Sequence, residues 1–600
     1  MDKKNTVIGV FLLLAAFGAM VLTSQLAPPP PPAPELFERT SPSPTADNVA
    51  PTAIGRAASP ASSPADASFA PLTTVNRDAL TTYLANDHIE VRLSNYGGAI
   101  NEVAFLRYDA TQDSNEPYVF NQQRANPLMA ITNIPGLGRD APYALVSATS
   151  TEVVYRAVLE DRLEVTRRYY IAPPGDDRRD PYRIRHDTTV RNLGASGAPP
   201  TFADFNLGTT ALVSRNDWGQ YLNVGSYDGE DALYTERKEL DGGGFLAWIG
   251  LRDGSPRPVI EKPASLVWAA VKNQFFASIY TGDELGTATI TRRVDLPPLP
   301  GAGRTNAGLS GDVRYILPAI DAGASATLGG ELYVGPKEYT RLRNFENNEA
   351  KVMQFDRFFF NRIFLSGILA PTMNLLMVTT YNWVGNWGMA IVLMTLLLKI
   401  ITLPFTLAAS RSAKKMGKLQ PQMKEVREKY KDNPQKLNQA TIALFKENKV
   451  NPMGGCIPIL ITIPLFIAFF AMLQGTAELR YQSFLWAHDL SGPDTIARIL
   501  GLPINIMPLL MGATMVIQMR LTPTPTADNA QMMMMKFMPI VFTLFCYNFA
   551  AALALYSTVN GVFTILQQVL VNKFTADTPV VTPAIAAKPT AKRPKARGRK

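Results

Sequence analysis

Residues 386–405 read NWGMAIVLMTLLLKIITLPF. The run is apolar and long enough for a membrane span, yet Lys399 stands well inside it. A charge near the bilayer centre costs roughly 2.5–3.5 kcal/mol on insertion scales. Thr395, Lys399, Thr402 and Thr406 recur at helical spacing: at about 100° per residue, with Thr395 as origin, the other three fall at roughly 40°, −20° and 20°. The lysine therefore belongs to a polar seam, and the remaining faces are Leu, Ile, Val and Met. Lys399 is about 10 Å from the end of the run at Thr406, a long reach for a lipid-facing side chain to snorkel. No Asp or Glu lies in the apolar part of any predicted span to pair with it. A threonine in a span often only bonds its own backbone. The lysine asks for more, and the seam predicts a wet cavity open to the cytoplasm.

Charge sets the topology around this segment. Residues 410–451 carry eleven Lys/Arg against four Asp/Glu, which places them in the cytoplasm. The chain starts MDKK, followed by an apolar run over Val7–Leu26. Residues 1–26 read as an uncleaved N-terminal transmembrane anchor of about 30 Å, because a secretory signal has a shorter apolar core. An odd number of crossings must then separate Leu26 from Ser410. No charged residue occurs from Ile363 to Leu398. Parity allows 386–406 to cross once and makes residues 346–384 an interfacial amphipathic helix region. Its VMQFDRFFFNRIFL mixes bulky apolar residues with Asp356, Arg357 and Arg362, the composition of a surface-lying helix.

Four more apolar blocks follow: Gly455–Leu473, Pro503–Met519, Met533–Phe549 and Ala551–Val571. A turn near Phe549–Ala551 parts the last two, since a single helix over both overshoots any bilayer. The expectation is six transmembrane helices, five of them in a core over 385–572. In the last block Tyr556, Asn560 and Gln567 share a stripe, with Ser557 and Thr564 flanking, and Gln518 lies in the second block. Polar residues in several spans predict a shared wet interior. Methionines recur at 507, 511, 515 and 519, suited to varied apolar partners, although ordinary packing is the simpler account of each.

Between the spans, AKKMGKLQPQMKEVREKYKDNPQKLNQATIALFKENK (413–449) favours helix, and Asp432-Asn433-Pro434 breaks it. Residues 410–451 thus predict a cytoplasmic helical hairpin whose Lys414, Lys415, Lys418, Lys424 and Arg427 present positive charge to anionic lipid or an acidic partner. The basic cytoplasmic tail, 573–600, is similar in charge. It includes Lys592, Arg593, Lys595, Arg597, Arg599 and Lys600 and suits an anionic lipid surface. No DNA partner is expected.

The N-terminal half differs in kind. Residues 27–74 are rich in Pro, Ala and Ser and open with PPPPP at 28–32; they read as a disordered linker. Residues 75–345 alternate polar and apolar, as in HIEVRLSN (88–95), RLEVTRRYYI (162–171) and RIRHDTTVRNL (183–193). Turn clusters separate the runs. The pattern predicts a large antiparallel β-sandwich on the outer side of the membrane.

Chemistry-bearing motifs are sparse. The two cysteines, Cys456 and Cys546, sit in apolar runs, and His88, His186 and His488 are scattered. No phosphate-binding loop, dinucleotide fingerprint or nucleophile elbow occurs. Ser412 and Lys415 fit S-x-x-K only within a basic stretch. Neither a metal, a cofactor nor a catalytic residue is expected. An anchored glycan-active enzyme and a proton-coupled transporter remain as competing readings; the transporter would want intramembrane carboxylates.

The quoted stretch, followed by KMGKLQPQMKEVREKY (415–430) and NPMGGCIPILITIPLFIAFF (451–470), resembles the YidC-type membrane protein insertases. ELRYQSFLWAHDLSGPD (478–494) and MMKFMPIVFTLFCYNFAAALALYSTVNGVFTILQQ (534–568) continue the resemblance. ELYVGPKEY (331–339) and VRLSNYGGAINEV (91–103) resemble the large periplasmic domain of the Gram-negative members, a β-sandwich similar to sugar-mutarotase folds. The resemblance implies an inner-membrane insertase and chaperone that spends no nucleotide. Its groove, open to cytoplasm and lipid, receives hydrophilic parts of nascent membrane proteins, alone or with the Sec translocon. It implies that the hairpin recruits substrate and that ribosomes are partners. By position it makes Lys399 the groove cation and puts Thr395, Tyr556 and Ser557 where the family contacts substrate. Thr402, Gln518 and Asn560 complete the expected groove from the seam and stripe above. The family residue at the lysine position is usually arginine. Here a compact ammonium replaces a delocalised, permanently charged fork.

Overall fold

The structure, a computed structural model, describes residues 79–176, 178–214, 217, 219–242, 255–297, 306–431, 433–448, 457–499, 502–521 and 529–574. The predicted anchor over 1–26, the linker over 27–74 and the tail from 575 onward lie outside the described residues. The described residues divide into two compact units, one up to Met353 and one from Gln354 onward.

In the first unit, strands β1 (Thr81–Ala85), β2 (Ile89–Ser94), β3 (Ala99–Asp109) and β4 (Pro117–Phe120) form a four-stranded sheet in sequence order. Strands β5 (Ala144–Ala148), β6 (Glu152–Leu159), β7 (Leu163–Ile171), β8 (Arg183–Asn192) and β9 (Thr201–Thr210) enter the larger sheet, as do β10 (Asn223–Tyr227) and β11 (Ala232–Glu236). β12 (Val259–Lys272), β13 (Phe276–Leu296), β14 (Asn306–Leu317) and β15 (Ser325–Pro336) complete it. The first half of β13 pairs with β15 and the second half with β14. The large sheet branches there, and β14 carries β9 on its far side. The pairings within both sheets are antiparallel.

Period-2 alternation decides what points inward. On β7, Val165, Arg167, Tyr169 and Ile171 are buried; on β8, Ile184, His186, Thr188 and Val190 are buried. Phe105 of the small sheet meets Phe276 of β13 at 5.2 Å, and Tyr118 stacks on Phe276 at 4.1 Å. These aromatic contacts join the two sheets into a sandwich. The unit runs past the expected boundary at 345. Trp268 Nε1 donates to Asn347 O (3.0 Å), Tyr234 OH to Lys351 O (2.6 Å) and Lys272 Nζ to Val352 O (2.8 Å). The backbone carbonyls of 347–352 are thus held by side chains of the sheet.

The second unit is helical. The expected single interfacial region, 346–384, is broken into pieces. A 3-10 turn over Glu349–Met353 belongs to the sandwich. A short helix over Phe359–Ile363 precedes α1 (Ser366–Val384). Gly385, at φ 65, ends α1 in the left-handed conformation that glycine adopts without strain. Asn386 then caps α2 (Trp387–Lys418), its side chain accepting from Met389 N at 3.0 Å. Tyr381 and Trp387 stack at 3.9 Å across this corner. The charge-free run is therefore two helices with a Gly-Asn break.

α2 has 32 residues, about 48 Å, and outruns the bilayer. Its end replaces the start of the predicted hairpin, which folds as α3 (Gln420–Lys429) and α4 (Pro434–Glu447). Asn433 caps α4 by accepting from Lys436 N (3.0 Å). Met416, Leu419 and Leu444 form a small core there, backed by Met423 and Phe445. The remaining helices are α5 (Ile457–Leu473), α6 (Ile506–Leu521), α7 (Asn529–Phe545) and α8 (Ala551–Phe574).

Among the described residues two helices, α2 and α8, are long and apolar enough to cross a membrane by themselves. The expected six is not shown by these residues, and the first of the six, over 7–26, lies outside them. α5, α6 and α7 are apolar helices of 16 or 17 residues. The predicted block from Pro503 is also corrected: Pro503 sits in a hairpin of β16 (Thr495–Ile499) and β17 (Leu502–Asn505), and the helix begins at Ile506. A β-branched run with a proline, TIARI…LPIN, favours extended backbone.

Candidate functional site

Small residues bring the helices of the second unit together. A Cβ on Gly561 of α8 would lie 2.5 Å from Thr514 Oγ1 of α6, and one on Gly512 of α6 would lie 2.3 Å from Thr543 Oγ1 of α7. Close approach leaves the longer polar side chains of α8 facing α2.

There they form a ladder. Lys399 Nζ donates to Thr564 Oγ1 at 2.7 Å. That hydroxyl spends its own proton on Asn560 O at 2.8 Å, so it is free to accept. Further along, Thr406 Oγ1 meets Gln567 Oε1 at 3.1 Å, and Gln567 Nε2 meets Ser410 Oγ at 3.4 Å. Lys414 Nζ then reaches Asn572 O at 3.1 Å. From Lys399 to Lys414 the ladder rises about 22 Å along α2. It is flanked by exposed apolar side chains, Ile400, Ile401 and Phe405 on α2 and Leu566, Val569 and Leu570 on α8. A polar seam with apolar outer faces can hold water or a polar chain segment while both helices remain compatible with lipid.

The expected groove residues separate into groups. Lys399 is half-buried and joined to α8. Thr395 is buried and donates to Ile391 O at 2.6 Å, and Thr402 donates to Leu398 O at 2.9 Å. Those two hydroxyls satisfy their own helix. Tyr556 is buried and stacks on Phe469 of α5 at 4.2 Å, so it packs α8 against α5. Ser557 is half-buried; its Oγ, like Thr558 Oγ1, is enclosed and lacks a hydrogen-bond partner in the structure. Asn560 contributes its carbonyl to the ladder, and Gln518 is half-buried on α6 with no hydrogen bond to the seam. Thr564, Gln567 and Ser410 were not in the expected groove set. The signal for Thr564 and Gln567 was present as the i, i+4, i+7 run Asn560–Thr564–Gln567, which matches Lys399–Thr402–Thr406 in period, and Ser410 follows Thr406 at i+4.

Of the hairpin cations, Lys414 closes the ladder, Lys415 and Lys424 are exposed, and Lys418 and Arg427 are half-buried. The tail cations Lys592, Arg593, Lys595, Arg597, Arg599 and Lys600 lie outside the described residues.

The sandwich has a polar interior of its own. Arg167 Nη1 donates to Gly97 O (2.8 Å), and Nη2 reaches Met129 O and His186 Nε2 (3.2 Å). A guanidinium only donates, so Nε2 accepts and the His186 proton sits on Nδ1, facing Tyr280 OH at 3.3 Å. Burial, then the charges of Arg167 and Arg185, hold this imidazole neutral, well below its usual range. The cluster is closed to solvent. A more open polar cleft of about 760 Å³ has His88, Arg107, Asp180, Arg183, Glu338 and Arg341 on its walls. Arg341 there is paired with Asp180 (2.6 Å) and Glu338 (2.8 Å).

The chain matches the family described as 60Kd inner membrane protein over residues 379–578 and the YidC periplasmic domain over 82–365. It is 30% identical to the membrane protein insertase YidC of Nitrosospira multiformis over 81% of this chain and 80% of that one. It is 29% identical to that of Geobacter metallireducens over 95% and 98%. Among solved structures, an active YidC insertase with its first transmembrane domain resolved is similar at 14% identity, covering 85% of this chain and 96% of that one, with a TM-score of 0.31. A galactose mutarotase related enzyme from Lactobacillus acidophilus is similar at 8% identity over 42% and 97%, with a TM-score of 0.28. Likenesses this weak leave the assignment to the sequence matches. On those matches the chain belongs to the YidC family of membrane protein insertases, as an inner-membrane protein with a periplasmic β-sandwich domain.

Proposed function

We propose that the seam between α2 and α8 is the substrate path of this insertase, with Lys399 as its receiving charge. The observation that carries the reading is the ladder itself: a cation and a run of hydroxyl and amide groups between helices whose outer faces are apolar. A hydrophilic segment of a nascent membrane protein exchanges bulk water for the seam, and its apolar segment leaves sideways into lipid. Thr395, Thr402, Gln518, Tyr556, Ser557 and Asn560 line or support the path. The enclosed Ser557 and Thr558 hydroxyls are donors that a polar backbone segment can use. The work is binding and release, with no nucleotide hydrolysis and no covalent step.

The topology that goes with this reading has six crossings, with residues 410–451 and the tail in the cytoplasm. In it the hairpin offers Lys414, Lys415, Lys418, Lys424 and Arg427 to incoming chains and to anionic lipid. Cooperation with the Sec translocon, docking of ribosomes on the basic tail, and a chaperone role for client spans belong to the same proposal. The test replaces the resident insertase of a depletion strain with this chain and follows a small single-span substrate by protease protection. Insertion restored by the intact chain and lost when Lys399, Thr564 and Gln567 are all made leucine supports the seam. Full activity of that triple variant would refute it.

A further inference from the structure

The β16–β17 hairpin is a second membrane-facing device. It is a two-stranded ribbon with Thr495 opposite Asn505 and Ile499 opposite Leu502. Such ribbons are marginal alone in water. This one is fixed at its base. Asp494 Oδ2 accepts from Trp486 Nε1 (2.9 Å) and Met507 N (2.6 Å). Asn505 Nδ2 donates to Tyr547 O (2.7 Å), and Tyr547 OH donates to Pro503 O (2.8 Å). The base is therefore tied to the start of α6 and to the turn between α7 and α8.

Beyond the base, no described residue of the helical unit covers the ribbon. Ile496, Ile499 and Leu502 are 49%, 59% and 72% exposed, and the nearby Leu485 is 69% exposed. Arg498 is the only charged residue of β16 and β17, and it too is exposed. Single exposed apolar residues are ordinary, but a projecting group of them is not. The ribbon runs straight into α6, whose Leu509, Leu510 and Ile517 are also exposed. In an inner-membrane protein that surface is covered by lipid, and the ribbon continues it past the helix end. An apolar projection with one arginine and a tryptophan at its base has the composition of an interfacial anchor.

We infer that β16–β17 lies in the outer leaflet, with Ile499 and Leu502 about 5–10 Å into the boundary between headgroups and acyl chains. The partner is a lipid surface. The ribbon holds the outer ends of α6, α7 and α8 at a fixed depth, and so fixes the depth of the seam. The leaflet rests on the proposed orientation; contact with lipid does not.

The test uses the full-length chain with Cys456→Ala and Cys546→Ala, reconstituted in vesicles of phosphatidylethanolamine and phosphatidylglycerol. Ile499→Cys and, separately, Leu502→Cys carry an environment-sensitive dye. Glu428→Cys, on the exposed side of α3, is the aqueous control and the reporter of orientation. The expected result is blue-shifted emission at 499 and 502, strong quenching by lipids with a shallow acyl-chain nitroxide, and weak quenching by iodide. Iodide quenching equal to that at 428 overturns the inference. Protection from both quenchers overturns it as well, since a protein surface would then cover the ribbon. Reaction of Glu428→Cys with an impermeant maleimide from the periplasmic side would overturn the orientation, and with it the leaflet, whatever the dye reports.

Discussion

Reversing the charge at Lys399 is the sharpest perturbation of the seam. The ammonium is held at 2.7 Å by the Thr564 hydroxyl, so its position is defined. A carboxylate of a passing substrate about 4 Å away gains about 1 kcal/mol at the dielectric of water and about 4 kcal/mol at the effective value near a protein surface. The seam is half-buried and polar, and the lower figure is the conservative one. Lys399→Glu turns that attraction into a repulsion of similar size. The swing is about 2 kcal/mol at least, roughly thirtyfold in a rate limited by entry of the acidic segment. Thr564 keeps its bond to Asn560 O, so the substitution strands no donor on α8. The assay compares two single-span substrates that differ only in an acidic or a neutral translocated tail. Insertion is scored by protease protection and normalised to the amount of insertase. The acidic tail should lose roughly thirtyfold or more, the neutral tail far less, and Lys399→Arg should retain both. Equal losses for the two tails in the Glu variant would refute the electrostatic argument and leave the lysine a packing role.

Other consequences can be measured on the purified chain. Gly561→Ala places a Cβ against Thr514 and should destabilise the α6–α8 contact by about 1–3 kcal/mol, seen as a lower thermal midpoint in detergent and partly recovered by Thr514→Gly. Asn433→Ala removes the cap of α4, costing about 1 kcal/mol; faster amide exchange should be confined to the first turn after Pro434. The sandwich should lose stability in mild acid. Folded His186 refuses a proton that the unfolded chain accepts near pH 6.5, so the unfolded state binds more protons and stability falls as pH drops below that value. The slope is at most about 1.4 kcal/mol per pH unit. His186→Gln should flatten it, and an unchanged slope would show that other groups carry the pH dependence.

The sequence and the structure agree where one local rule governs. Alternation in 162–171 and 183–193 marked two strands, which run as β7 and β8. Asn433-Pro434 marked a helix break and does end one helix and cap the next. Where two rules compete, the reading went astray. Pro503–Met519 carries no charged residue and is mostly apolar, so hydropathy absorbed its first residues into a span. Backbone preference and the hydrogen bonds of Asn505 and Tyr547 instead make them a strand. Arg167 and His186 sit at inward positions of strands that polarity alone would turn outward. Their burial is matched by partners from other parts of the chain, the carbonyls of Gly97 and Met129 for Arg167 and the Tyr280 hydroxyl for His186.

The seam shows the same division more sharply. The period of Thr395, Lys399, Thr402 and Thr406 could be counted along one helix, and so could that of Asn560, Thr564 and Gln567 along another. What a single helix does not reveal is which stripe meets which. The pairing follows from a small residue on another face of the same helix: Gly561 lets α8 close on α6, which turns Thr564 and Gln567 toward α2. A lysine with no carboxylate in reach among the described residues then finds a hydroxyl that has already given its proton away. Such an acceptor steadies the ammonium without neutralising it, and a charge that is placed but not cancelled is what a passing acidic segment requires.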